Sequence, residues 1–284
     1  MAINLASKFS AVVDERFATE SKTSLVVNQD YDFIGAKSIK IYSVGTSPMN
    51  DYGRNVSLGA DNESGQVLSR YGIISDLSTE IQEVQMEKDR SFTFVIDKAD
   101  EDETLGALNA GSALARQLRE VVIPEVDKYT YAKMSANAGN TVEEEITNEN
   151  AYESLTNANE VMDEKMVPMD RVCVCTPAFA KLLKQDKKVV LETEIGQAMR
   201  IKGVIAEMDG LIIQKVVSAL LPENTNFIIA NKVATTQAIK LAEYKINNDP
   251  QGISGSLVEG RIYYTAFVRN NKRDAIYVSN KPSV

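Results

Sequence analysis

The stretch FTFVIDKADEDETLGAL, residues 92–108, changes from the period of a strand to the period of a helix. Before the acidic residues, Phe92, Phe94 and Ile96 alternate with polar residues, which predicts a strand buried on one face. After them, apolar residues recur at intervals of three, four or seven, which predicts one stripe of a helix; they are Leu105, Leu108, Ala115, Leu118, Val122, Val126 and Tyr129. The pattern predicts one long helix over 100–134, kinked or split at Pro124, which cannot donate a backbone hydrogen bond.

Five carboxylates crowd the junction between this strand and this helix: Asp97, Asp100, Glu101, Asp102 and Glu103. A calcium loop that starts at Asp100 would need glycine at its sixth position and glutamate at its twelfth. This chain has Leu105 and Gly111 there. The exposed N–H groups of a first helical turn attract carboxylates, so we interpret the cluster as a helix start and expect no bound metal.

The composition is that of an ordinary soluble protein of 284 residues, long enough for about two domains or for one domain with large insertions. A net charge of -9, with no run of basic residues, argues against a dedicated nucleic-acid-binding protein. No secretory signal is present in the first thirty residues, and no apolar run has membrane length. We therefore expect a cytoplasmic protein without a membrane partner.

No catalytic set can be assembled from the motifs. The chain contains no histidine, which excludes Ser-His and Cys-His nucleophile arrangements, and it lacks phosphate-loop, dinucleotide-binding and nucleophile-elbow motifs. We expect no catalytic residue and no cofactor, although an enzyme that works through carboxylates stays open. Cys173 and Cys175 are interpreted as small buried hydrophobes, since two thiols do not make a zinc site. Gly252, Gly255 and Gly260 are interpreted as turns around a strand.

Two segments lack a core of their own. Residues 1–20 carry a modest helical stripe of apolar residues and would not fold alone: Leu5, Phe9, Val12, Val13 and Phe17. Strands are predicted over 38–44 and 78–87, and the connection between them, 49–72, is far longer than a hairpin loop and poor in large apolar residues. This long hairpin needs something outside itself to pack on.

The rest of the chain predicts mixed helices and strands, and the fold class is α+β. A helix is predicted over 148–166, followed by a strand over 172–175, an N-cap at Thr176 and a short helix to Lys184. Strands are predicted over 204–208, 211–216, 227–230 and 237–244. Two alternating segments, SLVEGRIYYTAFVR and DAIYVS, close the chain around a turn at 270–273.

In this order of parts the chain resembles the tailed-phage major capsid proteins of the Hong Kong 97 type. Local phrases are similar to capsid proteins of phages of Gram-positive bacteria: MNDYGR, DRSFTFVIDKADEDET leading into VIPEVDKY, and GRIYYTAFVRN before DAIYVS. The resemblance covers nearly the whole chain, and its specificity lies in the order of elements. It implies an N-terminal arm (1–37), an extended β-hairpin loop (38–90), a peripheral domain with a long spine helix (91–140), an axial domain (141–240) and late strands that return to the peripheral domain (241–284).

The resemblance also implies a function. Such proteins assemble with copies of themselves into hexamers and pentamers of an icosahedral shell around double-stranded DNA, which the inner surface contacts non-specifically. Portal and scaffolding or decoration proteins are the other expected partners, and the expected location is the virion capsid, assembled in the bacterial cytoplasm. Tyr52, Arg54, Arg70 and Tyr71 become candidates for contacts between subunits, unless they only order their loop. A bacterial nanocompartment shell of the same fold and a histidine-free carboxylate enzyme are the alternatives.

Overall fold

The structure, a computed structural model, describes residues 21–30, 38–54, 68–74, 76–104, 109–186 and 204–282. The strands are β1 (Val27–Asn28), β2 (Ser38–Val44), β3 (Leu68–Ser69), β4 (Gly72–Ile73), β5 (Thr79–Gln85), β6 (Lys88–Asp97), β7 (Asn140–Glu143), β8 (Arg171–Cys175), β9 (Val204–Met208), β10 (Leu211–Lys215), β11 (Thr225–Asn231), β12 (Thr235–Asn248), β13 (Gly255–Val268) and β14 (Ile276–Asn280). The α-helices are α1 (Lys98–Glu103), α2 (Ala110–Gln117), α3 (Ile123–Ala136), α4 (Ala151–Glu164) and α5 (Pro177–Gln185). The chain divides into two compact units, one of residues 38–84 and one of the rest.

A four-stranded sheet in the order β1-β12-β13-β6 contains the strand of the opening stretch. β13 runs antiparallel to both β12 and β6 and pairs Gly255 with Asp97. The predicted alternation is confirmed, because Ile96 is buried beside Val258 and the helix residue Ala110, with Phe92 and Phe94 packed at the margin. The apolar face of β6 therefore packs against α2, which follows it in the chain.

The predicted single helix over 100–134 is wrong in its first part. α1 ends after six residues, where the Thr104 hydroxyl donates to the carbonyl of Asp100 at 2.6 Å. α2 begins anew after Asn109, whose side chain accepts from the N–H of Gly111 and caps the helix. Leu105 and Leu108 of the predicted stripe lie outside the described residues.

An irregularity precedes Pro124, as the sequence predicts, but the helix is not split there. Between α2 and α3, Leu118–Val122 form a π-helical turn, and the N–H of Ile123 donates to the carbonyl of Leu118. Pro124 then lies in the first turn of α3, directly after this π-helical turn. The backbone is helical from residue 110 to residue 136.

A six-stranded sheet in the order β7-β14-β11-β8-β10-β9 carries the largest apolar core. Every residue of β8 and β11 is buried, as expected for strands covered on both faces. The predicted strand over 172–175, the cap at Thr176 and the following helix are confirmed, and the N–H of Phe179 donates to the Thr176 hydroxyl at 3.3 Å. Cys173 and Cys175 are free thiols without exposed surface, as the interpretation of small buried hydrophobes requires.

The two final strands go to different sheets. β13 lies in the four-stranded sheet, whereas β14 pairs β11 and β7 in the six-stranded sheet. The predicted turn at 270–273 is a 3-10 helical turn, Asn270–Ala275. The division into an arm, a loop and two domains at residues 37, 90, 140 and 240 stays a prediction. Within the described ranges, no helix combines the length and apolar character needed to cross a membrane.

The interpretation of Gly260 as a turn is wrong. Gly252 and Gly255 have positive φ angles of 85° and 141° around the start of β13, as turn residues do. Gly260 instead lies within β13, where it faces Phe92 on β6 and Tyr244 on β12. A Cβ atom at this position would overlap the Phe92 ring. Glycine is therefore required because two aromatic rings, with centroids 6.2 Å apart, meet over its backbone.

The unit of residues 38–84 contains the long hairpin. β2 pairs with β5, and β3 pairs with β4. The predicted strands over 38–44 and 78–87 are thereby confirmed, and the carbonyl of Ser78 accepts from the N–H of Gly45 at 2.8 Å. Residues 55–67, which form most of the predicted tip, lie outside the described residues.

Candidate functional site

The four candidate contact residues of the hairpin come together at one place. Arg70 and Tyr71 form the two-residue turn between β3 and β4, where Leu68 pairs with Ile73. The N–H of Gly53 donates to the carbonyl of Arg70 at 2.9 Å, so the segment that contains Tyr52 and Arg54 lies beside this turn. The rings of Tyr52 and Tyr71 meet edge to face with centroids 5.1 Å apart.

These side chains are nevertheless mostly in solvent. Tyr52 is 52% exposed and Tyr71 is 78% exposed, although their rings touch each other. Arg54 and Arg70 are also exposed, and within the described part of the chain neither guanidinium forms an ion pair. Exposed Tyr and Arg on a turn supported by backbone bonds are suited to bind another surface.

The same unit exposes further large apolar side chains. They lie on β2, on β5 and in the connecting segments: Tyr42, Val44, Met49, Ile74, Leu77 and Ile81. Scattered single apolar residues are normal on a protein surface, but a concentration in one short hairpin unit is typical of an interaction site. The structure thus places the predicted contact residues in an apolar, solvent-exposed hairpin.

The segment after residue 20 is held on α3 by one buried carboxylate. Asp127 accepts from the Ser21 hydroxyl at 2.8 Å, from the Lys22 N–H at 2.7 Å and from the Thr23 hydroxyl at 2.9 Å. Burial raises the pKa of the Asp127 carboxyl above its usual range, and these hydrogen bonds oppose that rise only in part. β1 follows in parallel with β12 and continues the attachment through Val27.

Glu87, between β5 and β6, ties the start of β6 to α3. Its carboxylate accepts from the Tyr129 hydroxyl at 2.9 Å and from Lys133 Nζ at 2.7 Å. Lys88 and Lys133 both lie 5.6 Å from the centre of the Tyr129 ring. Partial burial acts to raise the pKa of Glu87, but the bonds from Lys133 and Tyr129 outweigh it and hold the pKa below its usual range.

Asp97, Asp100 and Glu101 of the acidic cluster lie at a helix start, as the sequence predicts, whereas Asp102 and Glu103 are the last two residues of the short α1. The Asp97 side chain accepts from the N–H of Ala99 at 2.9 Å, and Asp100 and Glu101 lie in the first turn of α1. Asn109 Nδ2 donates to the Glu101 carboxylate at 3.3 Å. In the described ranges, no group of three or more metal-ligating side chains is close enough to hold an ion.

The six-stranded sheet contains a buried arginine that sequence analysis did not single out. Arg171 is 1% exposed, pairs with Asp163 at 2.7 Å and donates from Nε to the carbonyl of Pro168 at 3.0 Å. Its other donors reach Asn159 and the carbonyl of Val167, so this guanidinium joins the end of α4 to β8. Its role is structural, since all these partners belong to the same fold.

The thiols of Cys173 and Cys175, on the same strand as Arg171, are buried and unreactive. Burial raises the pKa of Cys175 to about 12, and it raises the pKa of Cys173 as well. A thiol with a raised pKa is a poor nucleophile and a poor metal ligand, because both roles require the thiolate.

Asp127 and Glu87 are structural tie points that sequence reasoning missed. A carboxylate one residue from Val126, on the apolar stripe of a predicted helix, was the available signal for Asp127. Glu87 offered no comparable signal, because its partners Tyr129 and Lys133 lie 42 and 46 residues away in sequence.

Comparison with known proteins gives a match by structure alone. No family model matches the sequence, and no curated protein does. A structure from Mycobacterium phage Che8 superposes with a TM-score of 0.70 at 18% identity, covering 98% of this chain and 97% of the other. The capsid of cyanophage P-SCSP1u gives a TM-score of 0.72 at 14% identity and covers 98% and 93% of the two chains. A virus-like particle from Pyrococcus furiosus gives 0.53 at 10% identity, with coverage of 92% and 93%.

These likenesses extend over almost the full length of both chains, so they concern the whole order of elements rather than a shared sheet. The α+β fold of this chain is the fold of phage capsid proteins of the Hong Kong 97 type, as its sequence resemblance implied.

Proposed function

We propose that this chain is a major capsid protein that assembles into the hexamers and pentamers of an icosahedral shell enclosing packaged double-stranded DNA. The observation that carries the proposal is the full-length match to phage capsids, with TM-scores of 0.70 and 0.72 over 98% of the chain. The proposed role is structural, not enzymatic, in agreement with a chain that contains no histidine and no nucleophile motif.

The exposed hairpin unit supports assembly through copies of the same chain. Its apolar side chains and the tyrosine pair Tyr52 and Tyr71 are in solvent in the single subunit. Burial of apolar surface stabilises association by about 25 cal/mol per Å² before the costs of ordering are subtracted. In the proposed shell, these side chains with Arg54 and Arg70 lie against a neighbouring subunit.

The finer parts of the proposal follow the same reasoning. Residues 1–37 act as an arm, 38–90 as the extended loop, 91–140 with 241–284 as the peripheral domain, and 141–240 as the axial domain. Portal and scaffolding or decoration proteins are the further partners, and assembly takes place in the cytoplasm of a bacterial host. A net charge of -9 favours only weak, non-specific contact with DNA at the inner surface.

Expression of the chain alone at high concentration tests assembly directly. Capsomers, tubes or closed shells should appear by negative-stain microscopy, and sizing should give particles far larger than 31.3 kDa. A protein that stays monomeric at all protein and salt concentrations would contradict the proposal and favour the alternative of a carboxylate enzyme. A nanocompartment shell, the alternative of the same fold, would lack neighbouring genes for portal, terminase and protease.

The contact residues can be tested separately from assembly as a whole. Replacing residues 55–68 with a short Gly/Asn turn should leave the cooperative unfolding of the subunit nearly intact, because loop shortening changes closure entropy little. Assembly should fail or give fragile shells. Tyr71→Ala should act in the same direction, whereas Met166→Ala, at a residue 92% exposed on the other unit, serves as the surface control. If the shortened chain forms normal particles that resist heat as well as those of the full chain, the hairpin does not make the contacts between subunits.

A further inference from the structure

Two neighbouring helices that pack on the core of the six-stranded sheet expose faces of opposite charge. The first, α4, buries one side, which consists of Ala151, Ser154, Leu155, Ala158, Asn159 and Met162. On its exposed side, Glu153, Glu160 and Glu164 are separated by seven and four residues, so they lie on one stripe of the helix. We call these three residues the glutamate stripe.

The second helix, α5, exposes lysines instead. Lys181 and Lys184 are three residues apart and lie in solvent, and we call this pair the lysine face. The N–H of Tyr152, in the first turn of α4, donates to the carboxylate of Asp186, directly after α5, at 3.2 Å. The two helices are therefore neighbours within one subunit, and they separate the two signs of charge between them.

These charges have no counterpart in their own subunit. Within the described ranges, no side chain of the glutamate stripe or of the lysine face forms an ion pair. The next acidic residue of α4, Asp163, does form one, with Arg171 at 2.7 Å. Single exposed charges are normal on a protein surface, but two unpaired sets of opposite sign on adjacent helices form complementary surfaces.

We propose that the glutamate stripe of one subunit binds the lysine face of a second copy of this chain. Along the helix axis, Glu160 and Glu164 are about 6 Å apart, and Lys181 and Lys184 are about 4.5 Å apart. This similar spacing allows two ion pairs to form at once when the two helices lie side by side. Val161, 38% exposed on the same side of α4, supplies an apolar contact between the two pairs.

The contact joins unlike surfaces, because the two faces lie on different helices. Contacts of this type form a closed ring when the rotation from one subunit to the next closes. This inference rests on the proposed function, since hexamers and pentamers are such rings. A two-fold contact of α4 with α4 would instead place glutamates against glutamates, which is unfavourable.

The ion pairs select which faces meet and supply little of the binding energy. Exposed ion pairs contribute little to affinity, because water and salt screen them. Like charges placed against each other in an interface cost more than such a pair contributes. We therefore expect charge reversal to be far more harmful to assembly than removal of the charges.

Charge reversal on either helix tests the contact. The lysine reversal is Lys181→Glu with Lys184→Glu, and the glutamate reversal is Glu160→Lys with Glu164→Lys. Each alone should lower the yield of assembled particles about tenfold or more at low salt, because like charges then meet. The unassembled subunits should still unfold cooperatively in urea, since all four side chains are exposed and unpaired. A chain with all four changes keeps the native net charge and should assemble as the native chain does.

An equimolar mixture of the two reversal proteins gives a sharper test. Opposite charges meet at every contact only if the two proteins alternate around the ring. Alternation closes in a ring of six but not in a ring of five. By negative-stain microscopy, the mixture should therefore show hexamers, sheets or tubes without closed shells. The chain with all four changes does not have this restriction.

A matched control changes the same charge elsewhere. Lys128→Glu with Lys272→Glu lies at exposed positions outside α4 and α5 and should leave assembly unchanged. The proposed contact is wrong if either reversal protein assembles as well as the native chain, if the control loses assembly to the same extent as the lysine reversal, or if neither the mixture nor the chain with four changes recovers assembly. A native chain that stays monomeric would instead contradict the proposed function, and this contact with it.

Discussion

Replacing Asp127 with alanine should release the anchored segment from α3 and lower the free energy of unfolding by about 2 to 4 kcal/mol. The Lys22 N–H would be buried without its acceptor, which costs about 1 to 3 kcal/mol. The hydroxyls of Ser21 and Thr23 would each lose a bond worth about 1 kcal/mol in net terms. Removing a buried carboxylate relieves its desolvation and offsets part of this loss.

Asparagine at the same position should be nearly neutral, within about 1 kcal/mol of the native protein. Its Oδ1 can accept from the Lys22 N–H in place of one carboxylate oxygen. Its Nδ2 can donate to the hydroxyls of Ser21 and Thr23, which accept as readily as they donate. The two substitutions at Asp127 therefore separate the shape of the anchor from its charge.

The pH dependence gives a second, independent measure of this carboxyl group. Burial raises the pKa of Asp127 above its ordinary value of 3.8, so the folded state favours the protonated form. The resulting stabilisation is complete below that ordinary value and is lost as pH rises through the folded-state pKa. Because asparagine does not titrate, the stability of the native protein relative to Asp127→Asn should fall as pH rises through this window.

Urea unfolding of the unassembled protein, at a series of pH values from about 4 upward, measures these differences. Hydrogen exchange at the Lys22 amide should accelerate strongly in Asp127→Ala and little in Asp127→Asn. Glu160→Ala, at an exposed position of α4, is the control for removal of an acidic side chain. Equal destabilisation by alanine and asparagine, without any pH dependence, would refute the anchoring argument.

Three further changes have defined outcomes. Arg171→Ala should lower the free energy of unfolding by about 3 to 5 kcal/mol in urea titrations, since it leaves the buried acceptors of Asn159 and Val167 unpaired. A loss under about 1 kcal/mol would contradict this. Glu87→Gln should reduce the free energy of unfolding at neutral pH but not at low pH. The lowered pKa of Glu87 stabilises the folded state above the usual carboxyl range, and this contribution disappears when the carboxylate is protonated. Parallel stability–pH curves for the two proteins would argue against it. In thermal unfolding, Asp97→Ala should lower the stability by about 1 kcal/mol because the helix cap is lost. Asp102→Asn, near the C-terminal end of α1, should lower it by almost nothing. The reverse order would show that the acidic cluster does not stabilise the helix start.

Most of the fold could be predicted from local sequence patterns. The switch from period two to helical period after Ile96 located the β6–α1 junction, and the run of β8 followed by Thr176 and Pro177 located the start of α5. The break between α1 and α2 was missed because Leu105 and Leu108 fit the apolar stripe. It depends on the weaker signals of Thr104 and Asn109, whose side chains bond backbone groups within four residues.

The candidate site was predictable in composition but not in geometry. An exposed hairpin with Tyr52 and Tyr71 follows from a long connection poor in core residues, yet the contact between the two rings depends on the backbone bond from Gly53 to Arg70. The anchor of the N-terminal segment joins Lys22 to Asp127, residues 105 positions apart, and no local period contains such a pairing. Contacts of this kind arise only when distant elements are packed together.

The contact of Gly260 with the Phe92 ring also constrains how this sequence can change. A side chain at position 260 alone would collide with the ring, and a smaller residue at position 92 alone would leave the sheet surface unfilled. The two substitutions should therefore be much less harmful together than the sum of their separate effects. Among proteins that share this sheet, the residues on these neighbouring strands are expected to covary, with a bulkier residue at one position accompanied by a smaller one at the other.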